Sequence, residues 1–233
     1  MTDIYYDCSK NEVSEIVWFL KNNLSKKPTQ LNYQLTHYYF NAQFNISIDI
    51  EKKLQTIADL MRIHLLITEP VKVILLSNID AGKFQTRDGL NCIFINASTV
   101  NQTFKQKVAI LAQEMSHYQL IIKHGIEKKS EKENELLTEI NAIYCGFGFL
   151  LLEGYKFNEV KKGNEIFKSK VGYIDTKVVK EAIVQTAYIR KQKPQWIIDN
   201  VQFNYKLYFY FRLFKLFIVY KKAVKKSIDR NKI

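Results

Sequence analysis

The chain has 233 residues; 47% are hydrophobic, 25% are charged, and only eight are Gly and three Pro. That much apolar content excludes intrinsic disorder, and so few breakers exclude collagen-like or low-complexity chains and favour long helices. The net charge of +12 is uneven: residues 201–233 hold nine Lys/Arg against a single acid, Asp229, which places +8 at the C-terminal end. The length suits one large domain or two small ones and supports a core without staples. Cys8, Cys92 and Cys145 are odd in number, widely spaced and lack a C-x-x-C pair, which fits a reducing compartment rather than a disulfide framework. The first residues carry acids where a signal peptide needs cations, and no window of about 18 residues is free of charge. The expectation is a soluble, cytoplasmic protein.

Residues 10–25 place Val13, Ile16, Val17 and Leu20 on one helical face. A loop at 26–28 follows, and 32–48 reads as helix then strand without a clear period. Residues 49–66 predict an amphipathic helix capped by Asp49. The period then changes. Residues 71–77 and 92–96 are short and β-branched, 83–86 add a third short strand, and Asp88-Gly89 supplies a turn. These strands predict a small antiparallel sheet. Helices are expected again at 102–124 and 134–153, broken by Gly125 and a charged stretch. A polar connection precedes a helix at 175–193, capped by Asp175 and closed by Pro194. Residues 196–228 are helical by pattern, aromatic and basic. Helices, a small sheet, then helices again define an α+β class that is mostly helical.

Chemistry concentrates between residues 109 and 148. Gln113-Glu114-Met115-Ser116-His117 lies on a predicted helix, and Glu135 follows His117 by 18 residues within Asn134-Glu135-Leu136-Leu137-Thr138-Glu139. Positions i and i+4 share a helix face, so residues 113 and 117 can grip one metal ion. Glu114 sits one residue round, within reach of a water on that metal. A second helix packed alongside can bring Glu135 into a third ligand position. Three protein ligands plus water describe catalytic zinc sites, in which such a carboxylate serves as general base.

The two motifs, Q-E-M-S-H and N-E-L-L-T-E, resemble the H-E-x-x-H and N-E-x-x-[ST]-D motifs of the gluzincin, or thermolysin-like, zinc metallopeptidases. The strand pair upstream, the apolar run GFGFLLL at 146–152 and Gly172-Tyr173 resemble the minimal intracellular members, over about residues 70–190. The resemblance implies a compact metallopeptidase core at 70–195, preceded by an N-terminal helical region (1–69) and followed by a basic aromatic helix (196–233), in one compact unit overall. It implies Zn2+ as cofactor, Glu114 as catalytic base, His117 and Glu135 as metal ligands, and Glu139 in the place of an acid that hydrogen-bonds the first His. Gln113 stands where that first His belongs. An amide oxygen is a neutral, hard and weakly basic ligand for zinc, and the longer Glu139 can hydrogen-bond the Gln113 amide instead. Two functions follow: peptide hydrolysis at a degenerate zinc site, or an inactive pseudopeptidase that keeps the fold to bind a protein or peptide.

Other residues carry less. His124 lies two turns beyond His117, about 10 Å along the axis, outside the same site. His37 and His64 read as structural, and Cys145 as core. Tyr118, Tyr144 and Tyr173 are candidate oxyanion donors. For residues 203–232 three readings stand: a buried helix with a lysine-rich end, a helix on an anionic membrane surface or acidic partner, and nucleic-acid binding, which rests on charge alone.

Overall fold

The computed structural model describes residues 6, 8–24, 49–79, 81–98, 102–128, 130–156, 158–162, 165–169, 171–201 and 203–230. The expectations for 26–28 and 32–48, including His37, lie outside them. Helices dominate and a three-stranded mixed sheet accompanies them, an α+β arrangement.

Helix α1 (Lys10–Asn23) opens on a capping box: Ser9 accepts from the Glu12 N–H, and the Glu12 carboxylate accepts from the Ser9 N–H. Its buried stripe is Val13, Val17 and Leu20. Asp49 caps α2 (Ile50–His64), which buries Leu54, Ile57, Ala58 and Met61. Strands β1 (Val71–Leu76), β2 (Gly82–Arg87) and β3 (Leu90–Asn96) follow. Asp88 and Gly89, both at positive φ (51° and 76°), join β2 to β3 in a two-residue hairpin.

The sheet departs from the antiparallel expectation. Its order is β1-β3-β2, with β2 antiparallel and β1 parallel to β3, from Val71 opposite Asn91 to Leu76 opposite Asn96. The hairpin folds β3 between the other two strands. Residues 92–96 of β3 are all buried, as a central strand covered on both faces requires. That leaves β2 as an edge.

Helix α3 (Phe104–His117) is the axle of the fold. A second capping box, Thr103 with Gln106, starts it, and every residue from Gln106 to Ser116 is buried. A wider turn, Tyr118–Lys123, ends it. Helix α4 (Glu131–Ala142) packs beside α3 and is capped by Ser130.

The single helix expected over 134–153 is kinked. Gly146 takes φ +105°, and α5 (Gly148–Gly154) resumes beyond a wide turn at Ile143–Phe147. Only glycine adopts that φ without steric cost, and apolar periodicity is blind to it. The segment Glu131–Gly154 is long and apolar enough to cross a membrane, yet 94% of its apolar window is buried inside the fold. It is core.

The expected polar connection contains a hairpin, β4 (Asn158–Lys162) against β5 (Glu165–Ser169). Asp175 caps α6 (Thr176–Ile189). Pro194 opens α7 (Pro194–Asn200), where its missing N–H costs nothing. The chain breaks at Val201, so the C-terminal pattern is two helices, α7 and the long α8 (Phe203–Arg230). Phe209 and Leu213 seat α8 in the core, the Phe209 ring edge-on to Phe149, and Arg212 pairs with the buried Glu181 of α6.

Candidate functional site

The C-terminal turns of α3 meet α4 at a buried polar cluster. Gln113 and His117 project from one face of α3, and Glu135 of α4 faces them both. The Gln113 amide N–H donates to Glu135 Oε2 at 2.9 Å, and His117 Nε2 lies 3.3 Å from the same oxygen. Thr138 Oγ1 lies 3.2 Å from His117 Nδ1 and fixes the ring from behind. Ser116 donates to the Thr138 carbonyl at 2.7 Å, and Asn141 donates to Ser116 Oγ. These bonds hold the two helices in register at the site. The expected i, i+4 pair and the carboxylate 18 residues on therefore do converge.

Glu114 reaches the sheet. The Phe84 N–H of β2 donates to Glu114 Oε2 at 2.8 Å. Asn96 of β3 donates to the carbonyl of Ala81 next door, so pairing alternates and the Phe84 N–H faces outward from the edge strand. Burial pushes the Glu114 carboxyl up to about 7, against the pull of the His117 charge and the Phe84 N–H. For His117, burial disfavours the proton, but the Glu135 hydrogen bond and the charges of Glu114, Glu135 and Glu139 outweigh it and raise its pKa.

Glu139 is wholly buried. It accepts from the Tyr155 hydroxyl at 2.7 Å, the Tyr173 N–H at 2.7 Å and the Ile174 N–H at 3.0 Å. Burial still pushes its carboxyl up to about 7. The expected Glu139–Gln113 bond is replaced by a bridge. Tyr155 stands between them, 3.5 Å from Gln113 Oε1. Tyr155 is the main residue that the sequence reading missed. No motif spacing marks it, and its role depends on Gly172, which packs against its ring. Gly172 has φ +86°, and a Cβ there would lie 2.3 Å from Tyr155 Cζ. Gly172→Ala is expected to cost about 2–4 kcal/mol in urea unfolding, from backbone strain plus displacement of the tyrosine.

The remaining candidates separate. Tyr173 lies in the electrostatic reach of the carboxylates, and burial with their charges pushes its hydroxyl up to about 12. Tyr118 instead faces Glu69, Asn91 and the Phe84 ring. Tyr144 lies under the Arg190 guanidinium. His64 faces the Cys145 carbonyl, and His124 closes the turn before Gly125. Cys145 is core, its thiol pushed up to about 11 by burial.

Glu114 and Glu139 both sit above the ordinary carboxylate value of 4.5 in the folded chain. A raised folded pKa means that the stabilising contribution is full below about pH 4.5 and is lost as pH rises through about 7. The melting temperature is therefore expected to fall between those values, and Glu114→Gln is expected to flatten part of that fall.

The donor set does not fit a catalytic zinc ion. Such ions need three good protein ligands plus water. Here one imidazole and one carboxylate converge, and the third residue offers a neutral amide that presents its N–H to the carboxylate. Among the described residues, none of the buried polar side-chain atoms left without a partner belongs to this cluster, so its hydrogen bonds close on themselves. Among the described residues, too, no three His, Cys, Asp or Glu form a metal-holding group. Comparison of the chain with protein-family models, with curated proteins and with solved structures gave no match.

Proposed function

We propose that this chain is a gluzincin-like pseudopeptidase, a metallopeptidase scaffold used to bind a protein or peptide. The observation that supports this most is the hydrogen bond from the Gln113 amide to Glu135, which ties up the third ligand position with a neutral group. The binding element that suits such a role is β2. It is a sheet edge with outward backbone groups beside Glu114, the kind of edge to which an extended peptide adds as a further strand. The three free cysteines suit the cytoplasm.

An active zinc peptidase is the second reading. It is favoured by Glu114, a buried carboxyl whose pKa of about 7 suits a general base. Zinc content and hydrolysis of unstructured peptides, measured on the chain and on Glu114→Gln, separate the two. The pseudopeptidase reading expects zinc well below one per chain and no hydrolysis that depends on Glu114. Stoichiometric zinc with hydrolysis abolished by Glu114→Gln would establish the second reading instead.

A further inference from the structure

Helix α8 has two apolar faces. Its inner face is anchored: Phe209 and Leu213 are fully buried, and Arg212 pairs with Glu181. That anchoring fixes the direction of the other face. Phe203, Leu207, Tyr210, Phe211, Phe214 and Ile218 recur at helical spacing and all point to solvent, with Phe203 90% and Phe211 62% exposed. From Phe203 to Ile218 the stripe runs about 24 Å along the axis at 1.5 Å per residue. The first acid after Phe203 is Asp229.

We propose that this outer face of α8 seats on an anionic membrane surface. A helix lying in the interface needs large apolar side chains on one face and cations at headgroup height along both sides. At 100° per residue, Lys206 and Lys215 fall on opposite flanks of the aromatic stripe. Six further Lys/Arg follow in the sequence between residues 221 and 232. Tyr and Phe suit the boundary between headgroups and acyl chains. A second copy of the chain is a poor occupant. Pairing these faces would bring the flanking Lys206 and Lys215 of one copy against those of the other, a like-charge contact. The surface is independent of the α3–α4 cluster, so either proposal can fail alone.

The test is flotation of the full chain with vesicles of phosphatidylcholine containing phosphatidylglycerol, against phosphatidylcholine alone, at low and high salt. The chain is expected to float with the anionic vesicles at low salt, less so at high salt, and to stay behind with the neutral ones. Phe203→Ser, Phe211→Ser and Phe214→Ser combined should lower the partition coefficient at least tenfold. Because these side chains are exposed, the melting temperature should hold, and Phe211→Ser alone should show the same trend. Failure to float at low salt overturns the proposal, as does undiminished binding by the triple variant. So does a dimer in sedimentation velocity that the triple variant abolishes without any vesicle binding. So does retardation of single-stranded nucleic acid by a chain that ignores vesicles.

Discussion

Gln113→His is expected to bind zinc at one ion per chain, at least about 100-fold more tightly than the unaltered chain. The physical basis is the site's own geometry. His117 and Glu135 already converge, and Thr138 already holds the ring of His117. The introduced imidazole would supply the missing nitrogen donor and complete the His₂Glu set of catalytic zinc sites. Loss of an outer partner alone costs about 10–100-fold in metal affinity, so restoring a direct ligand should gain at least that much. Glu139 lies one bridge away through Tyr155 and is already oriented by two backbone N–H groups. Titration calorimetry with zinc, on the chain and on the variant, reads the difference. Equal affinity in the two would mean that position 113 does not face the ligand pair.

Glu139→Ala is expected to be the most destabilising substitution in the cluster, by about 3–5 kcal/mol. It strands three buried donors: the Tyr155 hydroxyl and the Tyr173 and Ile174 N–H groups. Each unsatisfied buried donor costs about 1–3 kcal/mol, with partial relief as the site relaxes. For a chain of this size, that corresponds to a fall of roughly 10 °C in melting temperature. Glu139→Gln keeps one acceptor oxygen and should cost less than half as much. A Glu139→Ala variant that melts within a degree or two of the parent would mean that these bonds contribute little. The bonds tie α4 to the segment just before α6, so the cost should appear as loss of the whole fold rather than local fraying.

The site was legible in the sequence because its members sit on two regular helices. Residues 113 and 117 share a face by spacing alone, and an Asn-Glu-x-x-Thr run with an acid after it pointed to the partner helix. Those rules carry no information about residues that reach the cluster from irregular chain. Tyr155 follows α5 and Tyr173 precedes α6; they meet Glu139 only once the kink at Gly146 has turned the chain. The kink itself was hidden because apolar residues continue through it. The sheet was legible as three strands but not as a pairing. Alternation tells which face of a strand is buried, not which neighbour lies beside it, so the parallel β1–β3 contact was out of reach. For β4 and β5, lysines and glutamates mask the alternation in the sequence, so 156–173 reads as a polar connection. In α8 the periodicity showed apolar residues nearly all round. It could not say that the half carrying Phe209 and Leu213 faces α6 and the half carrying Phe203, Phe211 and Phe214 faces solvent.

We propose that α3 and α4 form a gluzincin-like metal site lacking one ligand. A crystal of Gln113→His soaked with zinc, with anomalous scattering recorded at the zinc edge, tests it most directly. One strong peak is expected within about 2.0–2.2 Å of His117 Nε2 and of a Glu135 carboxylate oxygen, with the introduced imidazole as third ligand. No peak at that position, or zinc held only elsewhere, as at His64 or His124, would contradict it.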